Sequence, residues 1–86
     1  MNISNVINQI EQALSLLRLR QNSSNPWFVK TIALYEEALL SPTDKNLKKL
    51  LGLSRAYLET ASDWSQDFFI ETDRTEQLLK NYLNLL

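Results

Sequence analysis

The sequence predicts an all-α fold, a small antiparallel four-helix bundle in up-down-up-down order, on three observations. Apolar residues recur at alternating steps of four and three along most of the chain, the period of a helix with one buried face. The 86 residues hold one Gly and two Pro, which suits long helices and poorly suits hairpins that need Gly-type turn residues. Turn-like polar stretches are few and short, so consecutive helices pack as antiparallel neighbours. A chain of this length buries roughly 60–65% of its unfolded surface, enough for a single domain spanning residues 1–86. Three helices plus an irregular segment over 63–73 is the alternative architecture.

The first helix is predicted from about Ile3 to Arg20. Ile3, Ile7, Ile10, Leu14 and Leu17 form a heptad seam flanked by Val6, Ala13 and Leu16, with Asn2 or Ser4 as cap. Arg18 and Arg20 suit the negative end of its dipole. Gln21 to Asn25 reads as a loop, after which Asn25 caps and Pro26 opens a second helix running to about Leu40. Its seam is Phe28, Ile32, Tyr35 and Leu39.

The third helix is the longest and best punctuated, from Ser41 to Asp63. Ser41 is placed at the N-cap, Pro42 at the first helical position and Asp44 in the first turn. Leu47, Leu50, Leu51, Leu53, Tyr57, Leu58 and Ala61 make a stripe too wide to leave in water. Gly52 interrupts it at about 1 kcal/mol relative to Ala, and close approach of a neighbouring helix is the expected compensation. The fourth helix is read as one piece from about Gln66 to Leu85, with Phe68, Thr72, Thr75, Leu79, Tyr82 and Leu86 on its seam. A later start capped by Asp73, with Glu76 closing a capping box, is the alternative.

Composition removes several classes of chemistry. There is no Cys and no His, so disulfides, thiolate metal sites and the commonest general base are all missing. Nine basic and 10 acidic residues leave a net charge of −1, with no global field for nucleic acid or membrane. One glycine cannot make a phosphate-cradling loop, and no nucleophile has a recognisable base beside it. The first residues lack the pattern of a signal peptide, so the expected compartment is the cytoplasm. No catalytic residue, cofactor or metal site is expected.

Short connections bring the close of the first helix, the start of the second, the close of the third and the start of the fourth to one end. That end collects Trp27, Phe28, Trp64, Phe68 and Phe69, with Arg18 and Arg20 beside them. Trp, Phe and Arg gathered on a surface resemble a binding hot spot; the competing reading is a plug of rings closing the core. Glu59, Asp63, Asp67 and Glu71 recur every four residues with Asp73 and Glu76 nearby, and read as a solvated acidic face. Lys45, Lys48, Lys49 and Arg55, with Lys30 near, make a basic counterpart too sparse for nucleic-acid recognition.

Thr31-Ile32, Tyr35, Ala38-Leu39 and Pro42, followed by Leu51-Gly52 and Ala56-Tyr57, resemble the pattern joining two tetratricopeptide units. The likeness covers Thr31 to Asp63, departs from the family by about one residue before Pro42 and about two before Tyr57, and does not recur at about 34 residues. It implies a helix-turn-helix protein-binding module.

The expected function is therefore a small non-enzymatic adaptor or inhibitor that docks one protein partner. Trp27, Trp64, Phe68 and Phe69 are the expected anchors, and Arg18 and Arg20 the orienting charges. Neither nucleic acid nor membrane is an expected partner. A homo-oligomer is the alternative, assembled through Val6, Ala13, Leu16 and Leu19 and through Leu85-Leu86 at the chain's end.

Overall fold

Four helical positions are filled, and the third is broken in two. The computed structural model describes residues 2–61 and 66–85. In chain order they form α1 (Ile3–Arg18), α2 (Pro26–Leu40), α3 (Asp44–Lys48), α4 (Leu53–Thr60) and α5 (Asp67–Tyr82). This is an all-α bundle in which α3 and α4 together occupy the third position.

Local capping chemistry sets most of the boundaries. Asn2 Oδ1 accepts from Ser4 N at 2.8 Å to start α1, and Asn25 Oδ1 accepts from Trp27 N at 3.0 Å to start α2 with Pro26 behind it. The start of the third helix differs from the predicted one. Ser41 closes α2, its N–H reaching Glu37 O at 3.0 Å, and Thr43 Oγ1 accepts from Asn46 N at 3.2 Å as the true cap. Pro42 therefore lies in the turn ahead of the helix. After Tyr82, α5 ends in a Schellman-type turn: Asn84 adopts φ 58°, and Leu85 N donates to Lys80 O at 2.8 Å.

Gly52 is the main departure. It adopts φ +85°, the left-handed region, between the turn that ends α3 and the first residue of α4. A Cβ built there meets no atom within 4 Å, so the expected close approach of a helix is overturned. The glycine is present for its backbone conformation. The uninterrupted helix expected to carry it through is absent.

α1 is the central element, packed against α5 on one side and α2 on the other. Gln9 Nε2 donates to Glu71 Oε1 at 3.0 Å and to Thr75 Oγ1 at 3.3 Å, and Arg20 Nη2 donates to Gln66 Oε1 at 2.8 Å, so α1 and α5 run antiparallel. The buried stripe of α1 is Val6, Ile10, Ala13, Leu14 and Leu17. Ile3 and Ile7 are only half-buried, so the helix is rotated from the expected seam toward Val6 and Ala13. These two residues of the expected oligomer surface are consequently core. Phe68, Thr72, Thr75 and Leu79 of α5 are buried as their spacing predicts.

Two buried hydroxyls on α2, Thr31 Oγ1 and Tyr35 Oη, make no well-formed hydrogen bond among the described residues, although Tyr35 faces Thr75. Burial pushes the Tyr35 phenol well above the ordinary tyrosine range, outweighing the nearby Thr75 hydroxyl.

Candidate functional site

The end where the helix termini meet forms as the connections require. Asn25 Nδ2 donates to Thr60 Oγ1 at 3.1 Å, joining the start of α2 to the end of α4, while Arg20 joins the end of α1 to the start of α5. The rings assembled there face inward. The Trp27 ring centroid lies 4.8 Å from that of Tyr57 and, edge to face, 5.1 Å from that of Phe28, and Phe68 lies 5.0 Å from Phe28 and 5.1 Å from Tyr57. The Trp27 indole N–H donates to Leu53 O at 2.8 Å, which satisfies its one polar atom inside the core.

Trp27 is 6% exposed and Phe68 not at all, so neither offers surface to a partner, and the expected anchor role is corrected for both. Rings of this size gain more by closing the bundle than by facing water. Arg20 lies with its guanidinium carbon 5.0 Å from the Phe68 ring centroid, roofing the cluster. Arg18 is exposed and paired with Glu36 at 2.9 Å. Trp64 lies outside the described residues. Among the described anchors, Phe69 alone is half-buried on a groove wall.

That groove lies between α4 and α5 and begins beside Gly52. The groove, of about 510 Å³, has α5 residues Phe69, Asp73, Glu76, Gln77 and Lys80 along one wall, spaced as one face of a helix. Arg55 and Leu58 of α4 form the other wall. Leu58, expected in the core, is 42% exposed here. Arg55, Asp73 and Lys80 make no ion pair among the described residues.

Glu76 forms the floor and departs from the expected solvated acidic face. It is 5% exposed, and its two carboxylate oxygens accept from Gly52 N and Ser54 N, each at 2.8 Å. α4 has no side-chain cap of its own, so a carboxylate from another helix neutralises its N-terminal donors. Its sequence signal was its position, four residues after Thr72 and three before Leu79, inside the α5 seam. Glu71 is half-buried, bound by Gln9 and Arg74. Among the described residues, no cluster of three or more Asp or Glu is arranged to hold a metal ion, and no helix is long and apolar enough to cross a membrane.

Fold and site together define a small helical bundle with an open, amphipathic groove between its last two helices. The chain belongs to the family of YeeD, an uncharacterized protein of Bacillus subtilis (strain 168), with 33% identity over 89 aligned positions covering 90% of this chain and 88% of the relative. No family model matches the chain, and no solved structure matches it.

Proposed function

We propose that this protein is a small non-enzymatic interaction module of the cytoplasm, an adaptor or inhibitor, that docks one protein partner through the groove between α4 and α5. The observation that carries the reading is the combination on those walls. Leu58 and Phe69 supply apolar surface, and Arg55, Asp73 and Lys80 stand around them without ion partners among the described residues. Apolar anchors ringed by available charges are the makings of a docking patch, in which anchors give affinity and charges give register. The groove is open along its length, which fits a partner's helix or loop better than an enclosed small molecule.

The test is a tagged pull-down from native host lysate, comparing wild type with Leu58→Glu and Lys80→Glu. A near-stoichiometric heterologous protein retained by wild type and lost from Leu58→Glu is the expected result. Truncation of Phe69 to Ala should then weaken binding by about 2 kcal/mol. A partner held equally by both charge variants would place the docking surface elsewhere.

A further inference from the structure

We propose that the segment received by the α4–α5 groove is acidic: an amphipathic stretch of a protein partner, its apolar side chain on Leu58 and Phe69 and its carboxylates between Arg55 and Lys80. This rests on the groove being the docking surface, and adds the chemistry and direction of what docks there. The groove has two unlike ends, because α4 and α5 run antiparallel. Glu76 takes the Gly52 and Ser54 N–H groups at the start of α4, and toward its close the Tyr57 ring lies 5.9 Å from that of Phe69. Leu58 and Phe69 therefore make an apolar end, with Ile70, 46% exposed, beside Phe69 on the same helix. Arg55, one residue past Ser54, and Lys80, one turn past Glu76, make a cationic end from opposite walls.

The charges on the walls select an anionic occupant. Arg55, Lys80, Asp73 and Glu76 are the charged residues that line the groove. Glu76 is already spent: it is 5% exposed, and each of its oxygens holds a backbone N–H at the positive end of α4. A ligand therefore meets two cations against Asp73, none of them in an ion pair among the described residues. Ahead of the Gly52 end, α3 adds Lys45 and Lys48, both exposed and outside any ion pair among the described residues, with Asp44 on that helix to offset one of them. The chain as a whole carries a net charge of −1, so this positive end is a local feature that runs against the global balance.

The same arrangement sets a direction. Glu59 follows Leu58, and Asp67 stands two residues before Phe69, so a carboxylate brought to the apolar end approaches like charge. The occupant's acidic end is thus held toward Gly52 and its apolar residue toward Phe69. Eleven positions separate Phe69 from Lys80, about 17 Å of helix, so about three turns of a partner helix reach both ends. Exposed ion pairs contribute more to encounter and register than to affinity, which Leu58 and Phe69 supply.

The experiment pans the full chain against a displayed library of random peptides of about 16 residues, long enough to span the groove. Peptides held by wild type and not by Leu58→Glu report the groove. They should share an apolar anchor with Asp or Glu to one side of it. Binding of their consensus peptide, read by fluorescence anisotropy, should weaken about tenfold in Arg55→Glu and in Lys80→Glu, and severalfold between about 50 mM and 500 mM salt. Asp73→Asn should tighten it about threefold, a gain that no misfolded variant can mimic. Leu58-dependent peptides of neutral or basic consensus overturn the acidic assignment and leave the groove as the docking surface. The absence of any Leu58-dependent peptide overturns both. An acidic peptide indifferent to Arg55→Glu, Lys80→Glu and Asp73→Asn also overturns the assignment.

Discussion

Replacing Glu76 tests the central structural claim, that one carboxylate of α5 holds the broken third helix in place. Its two oxygens accept from Gly52 N and Ser54 N at 2.8 Å inside a site where the residue is 5% exposed. Hydrogen bonds to a charged group contribute about 1.5–3 kcal/mol each, and removing the acceptor leaves the Ser54 N–H buried without a partner. Glu76→Ala should therefore destabilise the protein by about 3–5 kcal/mol. A chain of this size has a total stability of about 4–13 kcal/mol, so that variant stands near the edge of folding. Glu76→Gln keeps the shape and one acceptor oxygen but presents a donor to the second N–H, and should lose about 2 kcal/mol.

Urea unfolding followed by circular dichroism would show the loss as a midpoint lowered by about 2 M for Glu76→Gln, at an m value of about 1 kcal/mol/M. Amide exchange at Gly52 and Ser54 should accelerate beyond the global change, because those two donors lose their acceptor directly. Asp73→Asn, on the exposed side of the same helix, should stay within about 0.5 kcal/mol of wild type. The reasoning is refuted if Glu76→Gln matches Asp73→Asn and the Ser54 amide stays protected.

Gly52→Ala should cost about 1–2 kcal/mol, the penalty of a Cβ at positive φ, and Gly52→Asn distinctly less; denaturation midpoints check both. A loss well above that range for Ala would signal a steric clash, which the open space around Gly52 excludes. Tyr35 binds its phenolic proton more tightly folded than unfolded, so its contribution to stability is complete below about pH 10 and falls as pH rises further. At pH 11 wild type should have lost about 1.4 kcal/mol that Tyr35→Phe retains, measured as the difference between their urea midpoints at pH 8 and pH 11.

Elements whose signals are local were legible in the sequence. Asn25-Pro26 opens α2 where expected, Asn2 caps α1, and the Phe68-Thr72-Thr75-Leu79 spacing gives a single α5 from Asp67. The meeting of helix ends followed from connection lengths alone, and Asn25–Thr60 and Arg20–Gln66 realise it. The break at Gly52 was not legible, because the residues around it suit a continuous helix as well as a broken one. What tips the balance is Glu76, 22 to 24 residues away, which supplies acceptors only after α5 has packed. The groove was hidden as well: Leu58 fits the apolar stripe of a long helix, yet it stands exposed on the groove wall. Trp27 and Phe68 illustrate the converse, since residue type alone does not distinguish a ring that anchors a partner from one that closes a core.

The pairing of α1 with α5 has a consequence for how the chain is made. Val6, Ile10, Ala13, Leu14 and Leu17 leave the ribosome early, yet one side of that stripe finds its cover only in Phe68, Thr72, Thr75 and Leu79. Contacts such as Gln9 to Thr75 close a loop of 66 residues, an entropic toll that local helix–helix contacts do not carry. The nascent chain must therefore leave one side of the α1 stripe uncovered until α5 has been synthesised, and that interval is when it is most exposed to misassociation.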